Sequence, residues 1–105
     1  MYNLDNIKNI FKNDLKSYND AIILLKNELI QTIVNLNEDI KNDTTNIPKT
    51  LHKFKGTCSA INASDIIYMI DVLSNSNIID LEQVNKIIEK IHFILEDIDK
   101  NTNTK

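Results

Sequence analysis

One histidine in the chain has a lysine three residues on and a glycine four residues on: His52, Lys55 and Gly56. An imidazole nitrogen with a free lone pair attacks phosphorus well, and an ordinary exposed histidine, titrating near pH ~6.5, offers that form at cytoplasmic pH. On a helix the i,i+3 spacing brings the Lys55 ammonium within reach of a group attached to the ring. There its charge disfavours imidazolium and then offsets phosphoryl oxygens. Gly56 is the only glycine of the chain, and in mid-helix it costs roughly 0.5–1 kcal/mol against alanine. Helical side chains lean toward the N-terminus, so a side chain at 56 would lie over His52. Its absence leaves the ring open to a large partner, and the three residues together read as a phosphoryl-accepting site.

The element that must present them is a helix. Ile47, Leu51, Phe54, Cys58 and Ile61 recur at alternating intervals of four and three, which lays one apolar stripe toward a core. His52 falls about 140° from the centre of that stripe and Gly56 nearly opposite it, so both are expected to face water. Pro48 suits the first helical turn, where its missing N–H costs nothing. The polar run 41–46 breaks the periodicity before it. The helix should end near Ile61, with Asn62 best able to adopt a left-handed or capping conformation.

Three further long helices are expected around this one. Leu4, Ile7, Ile10 and Phe11 mark a short first helix over 4–11. Asn13, Asp14 and Ser17 supply turn or N-cap chemistry, after which Ile22, Leu25, Leu29, Ile33, Leu36 and Ile40 form one stripe to about residue 41. Ile23, Ile30 and Val34 lie on its shoulder, to be covered by the first helix or left open as a docking surface. Ser64 reads as the N-cap of a fourth helix with Ile66, Ile67, Ile70 and Leu73 inward. Asp80 and Gln83 resemble a capping box for the last helix, whose stripe is Leu81, Val84, Ile88, Ile91, Leu95 and Ile98. The expected fold is all-α: an antiparallel four-helix bundle with a short additional N-terminal helix, in a single domain over 1–105, and a frayed polar tail from about residue 101.

The segment 50–63 resembles the signature of histidine-containing phosphotransfer (HPt) domains, the modules of multistep two-component phosphorelays. The likeness rests on His52, Lys55 and Gly56, on Phe54 before the lysine, and on Ser59 three residues beyond the glycine. Asn62-Ala63 stands where the family commonly has Gly-Ala. Chain length and helix order extend the likeness over most of the chain, although only 50–63 is specific. The resemblance implies a phosphocarrier that accepts a phosphoryl group on His52 from a receiver-domain aspartyl phosphate and passes it to another receiver. Partners would be receiver domains of response regulators or hybrid histidine kinases, docking over the face that carries Lys49, Lys53, Lys55, Gly56 and Ser59. No cofactor is expected on the chain itself; the magnesium would sit on the receiver, since no carboxylate cluster lies beside His52 in sequence. The alternative is a helical-bundle adaptor that docks a receiver or another signalling protein without phosphotransfer.

Composition narrows the remaining classes. The net charge of −3 argues against nucleic acid as a partner. Even so, no Asp or Glu occurs from residue 44 to 64, leaving Lys49, Lys53 and Lys55 as a local positive patch. With no apolar run near 18 residues and no secretory signal, neither a membrane nor export is expected. The single cysteine, Cys58, cannot form an internal disulfide and fits the cytoplasm. It falls on the core stripe, where a buried inert thiol is expected. One glycine cannot build a phosphate-cradling loop, so no ATP-dependent kinase activity is expected. His92 lacks lysine and glycine at the matching offsets and reads as a boundary or packing residue, and Phe93 projects from its helix stripe. The module is expected to be a monomer.

Overall fold

The computed structural model describes residues 2–102, which are all-helical with no strand among them. Five α-helices follow in order: α1 (Asp5–Ile10), α2 (Leu15–Asn42), α3 (Ile47–Ala60), α4 (Ser64–Ser74) and α5 (Leu81–Thr102), with a 3-10 turn at Thr44–Asn46 before α3.

Short polar side chains set the ends of these helices. Asp14 caps α2, its carboxylate accepting the Ser17 N–H at 3.0 Å and the Ser17 hydroxyl at 2.7 Å. Those bonds hold the Asp14 carboxyl below the usual carboxylate range. Because Asp14 rather than Ser17 is the cap, α2 starts earlier than its apolar stripe indicates. At the far end Asp43 is extended and stops α2, and its carboxylate accepts both the hydroxyl and the N–H of Thr45. Asp80 begins α5 by accepting the N–H groups of Glu82 at 3.0 Å and Gln83 at 3.4 Å. Ser64 caps nothing. It is already helical, and the N-cap position falls to Ala63, because the turn satisfies its own backbone through Ser64 N–H to Asn62 O at 2.9 Å.

That turn reverses the chain in three residues. Asn62 takes a φ of 55°, the left-handed region, and the Ala63 N–H closes back on Cys58 O at 2.9 Å. Asparagine tolerates this conformation better than other non-glycine residues because its short polar side chain finds local partners. Here the Asn62 amide donates to Asn3 Oδ1 at 2.9 Å.

The core is one cluster. Leu25, Leu29, Ile33 and Leu36 of α2 join Leu51, Phe54 and Cys58 of α3, Ile66 and Ile70 of α4, and Val84, Ile87, Ile91 and Ile98 of α5. α2 packs on α3 and α5, and α4 packs on the same two. The apolar stripes are therefore used much as their spacing predicts, with Ile87 and Ile94 buried beside the expected α5 stripe, Ile67 of α4 only half-buried, and Leu81 at the start of α5 and Ile10 of α1 exposed instead of inward.

Helix lengths explain the N-terminal segment. At 28 and 22 residues, α2 and α5 run about 42 and 33 Å; α3 and α4, at 14 and 11, run about 21 and 17 Å. The short pair leaves part of the long pair uncovered at the end where α3 turns into α4. Tyr2, Leu4 and Ile7 pack against the core there. The Asn3 N–H donates to Ile61 O at 2.7 Å, and the Tyr2 hydroxyl donates to Asp97 of α5. Burial, and then that carboxylate, raise the Tyr2 phenol above its ordinary pKa. At six residues, α1 is too short to shield the α2 shoulder as well: Ile23, Ile30 and Val34 are 55%, 47% and 43% exposed. The helix of α5 continues to Thr102, past the point where fraying is expected; the rest of the expected tail, 103–105, lies outside the described residues.

Candidate functional site

His52 stands in the second turn of α3 with its ring exposed, while its neighbours on the helix, Leu51 and Phe54, are buried. The stripe of Ile47, Leu51, Phe54 and Cys58 dictates this, because four inward anchors leave the opposite face no choice of direction. Lys49, Lys53, Gly56 and Ser59 are exposed on the same helix, and Lys55 is half-buried at its flank toward α4. The residues singled out by sequence thus occur on one helix, six on or beside its solvent side.

Nothing among the described residues gives Gly56 a reason to be glycine. Its φ is not positive, and a Cβ built on it would meet no described atom within 4 Å. Neither backbone geometry nor packing excludes a side chain there, so the bare turn ahead of His52 is an opening onto solvent.

Lys55 does not stand free beside the imidazole. Its ammonium donates to Asp71 Oδ1 of α4 at 2.7 Å, with 34% of the lysine side chain and 49% of the aspartate exposed. The sequence carries no sign of this pair, whose partners are 16 residues apart across a turn of unknown register; only the position of Asp71 next to core Ile70 places it on a helix flank. The α4 surface beyond it carries Tyr68 and Val72, 71% and 49% exposed.

His92 is exposed, which takes it out of the core but leaves it on the edge of the α5 stripe. It sits about 100° from the α5 core centre, wide enough of the stripe to escape burial. Glu89 and Glu96, one turn to either side, are exposed as well. Phe93 is 65% exposed and lines a cleft of about 830 Å³ with Tyr2, Leu4, Lys86, Lys90 and Asp97. Cys58 is fully buried; burial first, and then the charge of Asp65, push its thiol up to about 12. Such a thiol is no nucleophile at neutral pH. Among the described residues no group of three or more His, Cys, Asp or Glu side chains could hold a metal ion, and no helix is long and apolar enough to cross a membrane.

Compared with family models, curated proteins and solved structures, the chain matches none of them.

Proposed function

We propose that the protein is a phosphocarrier of a two-component phosphorelay, an HPt-like module over 1–105 built as a monomeric antiparallel four-helix bundle with the short α1 added at one end. The observation that carries the reading is the open position at Gly56, one turn beyond an exposed His52. A helix keeps a costly glycine at a position its own fold leaves free, and an approaching surface is the simplest reason.

In the step itself, an unprotonated nitrogen of His52 donates its lone pair to the phosphorus of a receiver's aspartyl phosphate. The bond from phosphorus to the aspartyl oxygen breaks, and its electron pair leaves with the carboxylate. The positive charge left on the ring is relieved by loss of the other ring proton to solvent. Return to a second receiver is the same exchange reversed. The receiver supplies the magnesium, and this chain supplies an acceptor, a positive flank from Lys49, Lys53 and Lys55, and access over Gly56 and Ser59. It carries phosphate without an ATP-dependent activity of its own, in the cytoplasm, and without nucleic acid or membrane as partner.

Incubation with a phosphorylated receiver and magnesium tests the proposal. Acid-labile label should appear on wild type and on His92→Gln and be lost from His52→Gln. Label that persists on His52→Gln overturns it. The second reading, an adaptor without phosphotransfer, is favoured by the exposed Tyr68 and Val72 beside the Lys55–Asp71 pair. It requires receiver affinity to be unchanged in His52→Gln with no acid-labile phosphate in any variant.

A further inference from the structure

The lysine three residues beyond His52 is already engaged. Its ammonium lies against Asp71 at 2.7 Å, and the pair spans α3 and α4 at a half-exposed position where it is neither fully solvated nor locked in the core. A lysine ammonium has three donors, and only one contact here is taken by the carboxylate. A phosphoryl group on the imidazole would bring nearly two negative charges and three acceptor oxygens within one turn of the same ammonium. Asp71, with one charge, is the weaker attractor of the two, yet it is the one present before phosphate arrives.

Given the reading of His52 as phosphoryl acceptor, we propose that Asp71 is a positioning residue that acts through Lys55. In the resting protein it holds the ammonium on the α4 side and cancels its charge, and an arriving phosphoryl group draws the ammonium toward His52. Asp71 thereby restrains the rate at which His52 meets an anionic donor. Lys49 and Lys53 are the other cations of this helix face, and no carboxylate shares α3 with them. Removing Asp71 should therefore raise the positive potential at the ring chiefly by releasing Lys55.

Phosphoramidate tests this without any receiver. The imidazole nitrogen attacks phosphorus, the P–N bond breaks and ammonia leaves with the electron pair, so only the environment of the ring is sampled. Labelling of His52 relative to His92 within the same molecule, followed by phosphorus NMR with the two single His→Gln variants as assignments, cancels global effects. Asp71→Asn should raise the ratio about two- to fivefold, the range a half-exposed ion pair is worth. Lys55→Ala should lower it, and Asp71→Glu should restore the wild-type value. In the Lys55→Ala background the effect of Asp71→Asn should fall by at least half. An unchanged ratio in Asp71→Asn, or an equal rise with and without Lys55, overturns the proposal. A ratio that responds as expected in a protein that takes no phosphate from any receiver would leave the lysine latch standing and remove the relay reading instead.

Discussion

The two histidines of this chain differ in their helical surroundings more than in their exposure. Both rings face solvent, each on a helix that packs on α2 and α4. His52 has Lys49 one turn before it, Lys55 one turn after it, and bare backbone at Gly56. His92 has Glu89 one turn before it, with Leu95 and Glu96 after it. An incoming anion meets Lys49 and open space at the first site, with Lys55 held by Asp71 until it is drawn over, and carboxylates and side chains at the second. Exposure alone therefore does not separate the two histidines; the sign of the flanking charges and the bulk one turn ahead do, and the proposed phosphoryl transfer rests on that difference.

The contrast can be broken most decisively at Gly56. Gly56→Leu should cut transfer from a phosphorylated receiver by at least tenfold, about 1.4 kcal/mol, while labelling by phosphoramidate changes little. Glu96→Leu, the matching change beside His92, should leave receiver transfer untouched. Transfer that survives Gly56→Leu would mean that no surface approaches over that turn. A smaller effect is electrostatic. His52 should be labelled by phosphoramidate roughly three- to fivefold faster than His92, as expected for a few exposed i,i+3 and i,i+4 charge terms, and the difference should shrink in 1 M salt. Smaller still is the fold's own response. Gly56→Ala should raise the urea unfolding free energy by roughly 0.5–1 kcal/mol, because the new methyl meets nothing and the helix gains propensity. A loss of stability would return the glycine to the service of folding.

Two titrations sharpen the same picture away from the site. The Cys58 thiol is held neutral in the folded chain, so native protein should resist iodoacetamide at pH 8 and react only as it unfolds. The sign follows from a raised folded value: this contribution is complete below the unfolded thiol's range near pH 9 and fades as pH rises toward about 12. Asp14 works in the opposite direction. Its lowered carboxyl pKa adds stability above the ordinary aspartate range near pH ~4, and that share is lost as pH falls through the folded value. Asp14→Asn should flatten the acid limb of a helicity titration.

Much of this was legible in the order of residues because a helix converts spacing directly into direction. The stripes of α2, α3 and α5, the exit of α3 at Asn62, and the outward placement of His52 and Gly56 each follow from periodicity or from one residue's conformational tolerance. What was not legible depends on register between helices. The Lys55–Asp71 pair needs α3 and α4 to meet at one particular height, and no local pattern sets that height. The exposure of Ile23, Ile30 and Val34 depends on how far six residues of α1 can reach. For His92, about 100° from the stripe centre, burial is decided by neighbours rather than by the helix itself, so spacing alone does not give its exposure.

The tether at the chain's beginning constrains how the molecule can be handled. Asn3 is stitched to Ile61 and to Asn62, the hinge through which the His52 helix hands over to α4. A fusion partner pulling on residues 2–4 would load that hinge directly, so a bulky leading tag should loosen the corner behind the His52 helix before it disturbs anything else.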